Sequence, residues 1–272
     1  MRLPIGRLRP LAYEPPFRLL VKWALAMLPC SVERRAAWDL SERPHYLSGL
    51  LFAAHQAKRQ EIQEFSAIEF GVAGGRGLVA LQNEAEAVER ATGISIRVFG
   101  FDAGAGGLPS FCGDYRDHPD IFQPGDFPMD ETKIRKSLTP RTTLILGDIR
   151  QTIENFRGDH DPSPIGFVSI DLDLYSSTVA ALRLFDLCPI LMHVAMYFDE
   201  IDMPLAHHWA GERLAIAEFN ERHAKLKIDR WWGLRARRPF PERRELNGMF
   251  ICHDLDAISK FKLNRQTARL PL

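Results

Sequence analysis

The chain has 272 residues, of which 46% are hydrophobic, and its 35 basic residues balance its 35 acidic residues. This length fits one large α/β domain, and the apolar fraction is sufficient for a sizeable core. The zero formal net charge argues against a general electrostatic attraction to nucleic acid or to an anionic membrane.

The first 64 residues are predicted to form a helical N-terminal cap. Residues 17–28 carry apolar side chains at helical spacing, which predicts an amphipathic helix packed on the body of the protein. This run is too short to span a bilayer and lacks a small-residue cleavage site, so neither stable membrane insertion nor a signal peptide is expected. A contact with a membrane surface, or one that makes a homo-oligomer through the N-terminal helices, is the alternative. A longer helical segment is predicted for residues 44–64.

Residues 65–272 show the alternation of strands and helices that is typical of an α/β domain. Strands are predicted at 67–72, 95–101, 143–146, 166–172 and 190–198, and two more at 225–231 and 248–252. Helices are predicted at 77–92, 151–156, 176–187 and about 208–223. The pattern predicts a doubly wound, seven-stranded sheet that ends in an antiparallel hairpin. Residues 103–140, rich in Gly, Pro and Asp, interrupt the alternation and are predicted to be a lid-like insertion.

Cysteine usage points to the compartment. The four cysteines (Cys30, Cys112, Cys188 and Cys252) are far apart and form no CxxC pair. This spacing predicts a reducing compartment, the cytoplasm, with neither a disulfide framework nor a zinc site.

A glycine-rich turn at residues 69–77 follows the first predicted strand and opens the first helix of the sheet domain. Glycine allows a ligand to approach the backbone closely. The spacing does not fit the dinucleotide fingerprint, because Ala73 and Arg76 replace two of its glycines, and no Gly-Lys-Ser/Thr follows as in a Walker A loop. The turn fits a ligand with an amino-acid-like end, whose ammonium group Glu69 could receive.

The next two strands also end in acids. Asp102 follows the second strand, where an acid can hold a pair of ribose hydroxyls. Asp148 follows the third strand and could bind the same ligand or serve as a helix N-cap.

The fourth predicted strand ends in two carboxylates, Asp171 and Asp173. Period-two geometry would place them on one side of an extended backbone. Open α/β sheets bind their ligands at the carboxyl ends of parallel strands, so one acid could hold a hard cation and the other could take a proton. Two helix N-cap carboxylates are the structural alternative.

Together these motifs resemble the macrocin O-methyltransferase (TylF/MycF-type) family of class I S-adenosylmethionine-dependent enzymes. The resemblance rests on residues 69–71, 100–102 with 107–109, 147–149 with Thr152, 171–175 with Ser177 and Thr178, and 217–219. It implies a Rossmann-like fold, methylation of a hydroxyl on a sugar or glycosylated small molecule such as a natural product or glycan, and a divalent metal, expected to be Mg²⁺. Methylation of a catechol-like diol, or a non-catalytic methyltransferase-like binding module, are the alternatives.

The resemblance also implies roles for individual residues. Asp171 would be a metal ligand, completed by the acid pair Asp199 and Glu200 after the fifth strand, and Asp173 would be the general base. Glu200 stands where the family has aspartate, which keeps the charge but adds a methylene. The turn and the resemblance together give the expected residues of the S-adenosylmethionine site: Glu69, Gly71, Ala73, Gly75, Asp102, Asp148, Ile149 and Asp171.

Overall fold

The computed structural model describes residues 27–238 and 244–262, together with residues 20 and 23–25. The predicted helix at 17–28 lies largely outside the described residues, so its packing and any oligomer contact stay predictions. Within the described part of the chain, no helix combines the length and hydropathy needed to cross a bilayer.

Seven strands form a single mixed sheet. They are β1 (Glu64–Phe70), β2 (Ser95–Asp102), β3 (Thr142–Leu146), β4 (Ile165–Ile170), β5 (Ile190–Phe198), β6 (Leu226–Arg230) and β7 (Met249–Asp254). Their order across the sheet is β3-β2-β1-β4-β5-β7-β6. Strands β1 to β5 are parallel, and β7 lies antiparallel between β5 and β6. The predicted doubly wound, seven-stranded sheet with an antiparallel C-terminal hairpin is confirmed.

The α-helices lie between and beside these strands. They are α1 (Val32–Ala37), α2 (Pro44–Arg59), α3 (Arg76–Thr92), α4 (Glu131–Ser137), α5 (Ile149–His160), α6 (Tyr175–Leu182), α7 (Leu184–Leu187), α8 (Gly211–Arg222) and α9 (Leu255–Lys260). The predicted helix at 44–64 is too long, because Glu61 adopts a left-handed φ of 59° just after α2 ends. The predicted helix at 176–187 is two helices, and the first closes where the Arg183 N–H bonds to the carbonyl of Ala180.

One face of the sheet is covered by the N-terminal helices and α3. Tyr46, Leu47 and Leu50 of α2 have no solvent exposure and belong to the same core as sheet residues such as Phe167. A Cβ added at Gly49 would lie 2.3 Å from the ring of Phe167, so the helix backbone touches the sheet directly. The predicted cap therefore supplies one of the two helical layers that a doubly wound sheet requires.

The other face is covered by α5 to α8. Aromatic rings dominate this core, with the ring of Phe156 in α5 5.0 Å from those of both Phe99 and Phe101 in β2. The chain leaves β1 toward β2 and β3 on one side and later returns to β4 and β5 on the other. Such a reversal of winding creates a crevice at the carboxyl ends of β1 and β4, which is where open α/β sheets bind ligands.

Gly49→Ala should destabilise the protein, because the new methyl group overlaps the buried ring of Phe167. Overpacking of a core typically costs about 1–3 kcal/mol, which outweighs the gain of roughly 1 kcal/mol in helix propensity. Gly158→Ala in α5 is the matched control, since among the described residues no atom lies within 4 Å of its added Cβ. This control should be stabilised by up to about 1 kcal/mol. Urea unfolding measures both free energies, and stabilisation by Gly49→Ala would contradict direct packing of α2 on β4.

Candidate active site

A cavity of about 430 Å³ lies at the carboxyl edge of the sheet, at the point where the winding reverses. Its volume is in the range of small-molecule and cofactor sites. The turns after the parallel strands form its walls, together with the insertion. It brings together ten residues predicted from the sequence: Glu69, Gly71, Ala73, Asp102, Asp148, Ile149, Asp171, Asp173, Asp199 and Glu200.

Gly75, which was predicted to bind the cofactor, does not line this cavity in the described part of the chain, whereas Gly74 does. Gly75 has a left-handed φ of 81°, and a Cβ there would lie 2.8 Å from the side chain of Ile134. Gly71 is also needed for packing, because its Cβ would lie 1.7 Å from the carbonyl oxygen of Asp171. The glycines of the turn therefore divide between backbone packing and access to the cavity.

Glu69 lies buried at the end of β1, with 1% of its surface exposed. The hydroxyl of Tyr46 in α2 donates to its Oε1 at 2.7 Å and lies 2.8 Å from the hydroxyl of Ser169 in β4. Burial raises the pKa of Glu69 to about 8, although the Tyr46 hydrogen bond and the charge of Arg43 oppose the shift. Among the described residues its buried Oε2 finds no hydrogen-bonding partner. An ammonium group would satisfy this oxygen and favour the charged carboxylate.

Asp102, at the end of β2, holds the glycine-rich turn in place. Its Oδ2 accepts hydrogen bonds from the backbone N–H groups of Val72 at 2.9 Å and Ala73 at 2.8 Å. Its Oδ1 accepts from the N–H of Gly104 at 2.7 Å, which ties the turn to the start of the insertion. Asp102 also lines the cavity. Any contact of this carboxylate with a ribose would therefore be made in addition to its hydrogen bonds to these two loops.

Asp148 satisfies the helix N-cap alternative. It caps α5 by accepting from the N–H of Arg150 at 2.9 Å, and the Arg150 side chain forms an ion pair with it. Hydrogen bonds from Arg150 lower the pKa of Asp148. Asp148 also lines the cavity beside Ile149.

Asp171 and Asp173 lie in a turn. Strand β4 ends at Ile170, so the predicted extension to residue 172 is wrong, and period-two geometry does not explain why both acids reach the cavity. Asp173 has a left-handed φ of 61°, and the N–H of Leu174 bonds to the carbonyl of Leu172 across it at 2.6 Å. A non-glycine residue in this conformation costs roughly 1–3 kcal/mol, and such strain clusters at functional sites.

The N-cap alternative is not found for Asp173. Leu174 occupies the N-cap position of α6. The N–H of Ser176 in the first turn of that helix instead donates to Asp117 of the insertion at 2.7 Å. The Asp173 carboxylate therefore faces the cavity and does not cap the following helix.

Three carboxylates converge beside this turn. Asp171, Asp199 and Glu200 each offer an oxygen, and these oxygens lie within 4.8 Å of one another. Asp199 and Glu200 follow β5, whose Tyr197 hydroxyl donates to Asp199 Oδ1. Divalent cations such as Mg²⁺ and Ca²⁺ prefer oxygen ligands of this kind.

The acids repel one another in a poorly solvated site. Burial, followed by the charges of Asp199 and Asp173, raises the pKa of Asp171 to about 7. Burial, followed by the charges of Asp199 and Asp126, raises the pKa of Asp173 to about 6. A bound cation would relieve this repulsion and favour the charged form of each acid.

Four residues that contribute to the site were missed by sequence reasoning. Two come from the N-terminal helical layer, one from the insertion and one from α8: Arg43, Tyr46, Asp117 and Glu212. None belongs to a motif, and each reaches the site through a long-range contact. A buried Tyr or Glu at one position of a helix leaves no signal that distinguishes it from other core or surface residues.

The insertion is anchored at the edge of the sheet that carries the cavity. Asp117 has no solvent exposure and accepts from the N–H of Cys112 at 2.6 Å within the insertion. It also accepts from the N–H and the hydroxyl of Ser176, at 2.7 and 2.9 Å, at the start of α6. The segment that was predicted as lid-like includes α4, and its Asp126 and Phe127 line the cavity.

Comparison with known proteins supports the fold. No protein-family model matches the sequence, and no curated protein matches it. Among solved structures, CalS11, a calicheamicin methyltransferase, is 22% identical, with a TM-score of 0.52 over 89% of this chain and 94% of that chain. The O-methyltransferase NovP is 15% identical, with a TM-score of 0.50 over 67% of this chain and 75% of that chain. The chain thus has the Rossmann-like fold of class I methyltransferases.

Gly74→Val should impair ligand binding, whereas Gly75→Val should impair the stability of the fold. Among the described atoms, none lies within 4 Å of a Cβ at Gly74, so valine there fills the cavity and leaves the fold intact. If the cavity binds the cofactor that the resemblance implies, this variant should lose binding of S-adenosylhomocysteine while its melting temperature stays unchanged. Valine at Gly75 is forced into a left-handed φ and against Ile134, so it should lower the melting temperature. Calorimetry and thermal denaturation test both, and tight binding by a folded Gly74→Val variant would contradict the location of the ligand.

Proposed function

We propose that the protein is a Mg²⁺-dependent S-adenosylmethionine O-methyltransferase that acts on a hydroxyl of a sugar or a glycosylated small molecule. The observation that carries the proposal is the convergence of Asp171, Asp199 and Glu200 next to Asp173. These acids share one cavity with the glycine-rich turn. The fold that the chain shares with CalS11 and NovP is consistent with methyl transfer.

The residues of the turn suit S-adenosylmethionine. This cofactor supplies its methyl group from a sulfonium. The buried, unpartnered Oε2 of Glu69 suits an ammonium group, and Gly74 leaves the adjacent backbone open to the ligand. Ile149 offers an apolar contact on the same cavity wall, and Asp102 offers carboxylate oxygens for ribose hydroxyls. These contacts would orient the donor, which matters because methyl transfer requires donor and acceptor to be aligned.

The acid cluster suits a magnesium ion. Asp171, Asp199 and Glu200 provide hard oxygen ligands, and the Oε2 of Glu200 is buried without a partner in the described part of the chain. The cluster has no cysteine or histidine, whose sulfur and nitrogen atoms zinc prefers. A divalent cation supplies Lewis acidity, which makes an acceptor hydroxyl more acidic.

We assign Asp173 the role of accepting the proton of the acceptor hydroxyl. Its side chain lines the cavity beside the acid cluster. Its backbone adopts a strained left-handed conformation, and Leu174 rather than Asp173 occupies the N-cap position of the following helix. A carboxylate in this position acts as a general base when it lies within hydrogen-bonding reach of the hydroxyl. In this arrangement Asp171, Asp199 and Glu200 would hold the cation, and Asp173 would remove the proton.

The acceptor class rests on the resemblance of residues 171–178 to sugar O-methyltransferases. A vicinal diol on a sugar and a catechol both present two oxygens, so an acceptor panel is the deciding experiment. Radiolabelled S-adenosylmethionine should transfer its methyl group to nucleotide sugars or glycosides in the presence of Mg²⁺. Transfer to catechols alone would favour the diol alternative, and binding of S-adenosylhomocysteine with no transfer to any acceptor would favour a binding module.

Removing the metal should abolish turnover but preserve cofactor binding. With EDTA we expect methyl transfer to fall at least about 10-fold because the cation is removed. In the Asp199→Asn variant we expect a fall of about the same size because one ligand of the cation is lost. The affinity for S-adenosylhomocysteine should change little, since Glu69 and Gly74 lie on the turn after β1. Asp159→Asn, which alters an exposed acid of α5 outside the cavity, is the matched control for metal dependence. Full activity in EDTA would overturn the role of the metal.

Asp173→Asn should reduce turnover by roughly 10² to 10⁴, the usual contribution of general base catalysis. Asparagine has nearly the same shape and tolerates the left-handed φ of 61° at this position, so the melting temperature should be preserved. Turnover and affinities for cofactor and metal are measured on the same preparation. Near wild-type turnover would remove Asp173 from the mechanism.

A further inference from the structure

Glu212 is a buried carboxylate that the mechanism above does not use. It lies in the first turn of α8, and only 2% of its surface is exposed. Among the described residues, neither of its two oxygens has a partner that meets hydrogen-bond geometry. A buried acid with both oxygens unsatisfied is unfavourable unless something outside these contacts compensates it.

Capping of the helix by hydrogen bonds does not explain Glu212. An acid in the first turn can accept from the free N–H groups there or interact with the helix dipole. The N-cap residue Ala210 has no side-chain acceptor, so those N–H groups would be available to Glu212. Its oxygens nevertheless take none of them within the described structure.

Glu212 faces the acid cluster from α8. The carboxyl of Glu200 is its immediate neighbour. Since a carboxylate has no proton to donate, neither acid satisfies the other, and Glu200 Oε2 is likewise buried without a donor in the described chain. The other charges that act most strongly on Glu212 are also acidic: Asp171, Asp199 and Asp173.

A neighbouring residue fixes this arrangement. Arg213 donates from Nε to the carbonyl oxygen of Ile201 at 2.7 Å and from Nη2 to Asp202 at 2.9 Å. Both acceptors lie in the short 3₁₀ turn Glu200–Asp202, which carries Glu200. The first turn of α8 is therefore fastened to the turn that bears the third acid of the cluster, with Glu212 held behind it.

We propose that Glu212 is a fourth carboxylate of the cation site, which acts from α8 behind Glu200 and strengthens the binding of the divalent cation. The inference rests on the proposed function, since it assigns a residue to the same metal site. A cation is the partner that compensates several buried carboxylates at once. Outer carboxylates of this kind orient the ligands and typically change metal affinity about 10- to 100-fold when they are lost.

The test compares the wild type with Glu212→Gln and uses Mn²⁺ as the probe, because Mn²⁺ accepts the same oxygen ligands and its free form is visible by electron paramagnetic resonance. Glutamine keeps the shape of glutamate and removes only the charge. We expect Mn²⁺ affinity to fall about 10- to 100-fold. Glu221→Gln is the matched control, because Glu221 is exposed at the other end of α8 and should leave the affinity unchanged.

A second measurement separates this role from a purely structural one. In EDTA, Glu212→Gln should melt at or above the wild-type temperature, because it removes one acid from a repulsive cluster. On addition of Mn²⁺, its melting temperature should rise less than that of the wild type. Glu212→Asp, which keeps the charge, should restore part of the affinity.

The outcomes distinguish a failure of the role of Glu212 from a failure of the metal-dependent function. If the wild type binds Mn²⁺ and Glu212→Gln binds it equally well, the role of Glu212 is overturned and the proposed function still stands. If the wild type binds neither Mn²⁺ nor Mg²⁺, the metal-dependent function and the role of Glu212 are both overturned. A fall in affinity confined to Glu212→Gln supports the assignment.

Discussion

The site depends on the direct backbone contact between the turns that follow β1 and β4. The N–H of Asp171 bonds to the carbonyl of Phe70 at 2.9 Å, and the missing side chain of Gly71 lets the carbonyl of Asp171 approach its Cα. This contact sets the distance between the glycine-rich turn and the acids after β4. The proposed methyl transfer would need that distance to be constant so that donor and acceptor stay aligned, and two adjacent parallel strands in the centre of a sheet provide such constancy.

The surroundings of this contact oppose folding in the absence of ligands. The protein gathers Asp171, Asp173, Asp199, Glu200 and Glu212 in a poorly solvated region, and it keeps Asp173 in a strained conformation. The rest of the structure must compensate for this repulsion. Both faces of the sheet carry extensive apolar cores, and the N-terminal layer reinforces the centre by placing the Tyr46 hydroxyl between β1 and β4. A rigid scaffold that holds like charges together is what the proposed metal site would require before it binds its ion.

The features predicted from sequence are those encoded by local pattern. Apolar runs and turn residues located all seven strands, and acids at strand ends located the cavity, because parallel strands bring their carboxyl ends to one edge. Exact ends were missed where backbone conformation decides them, as at Glu61 and Asp173 with their left-handed φ angles. Which of Gly74 and Gly75 is open to the cavity depends on Ile134, a residue far along the chain that packs against Gly75. The roles of Tyr46 and Asp117 were not predicted for the same reason, since their hydrogen-bonding partners are set by tertiary packing.

The anchor at Asp117 bears on how such a protein can diversify. One buried carboxylate joins the insertion to the start of α6, immediately after the turn that carries Asp173. Residues farther along the insertion, such as Phe127, can then change in size and polarity without shifting the acids. Under the proposed function, selection for a new acceptor could thus act on one wall of the cavity while Asp171 and Asp173 keep their positions. For protein engineering, the segment to replace with another loop would begin after Asp117 and end before α4.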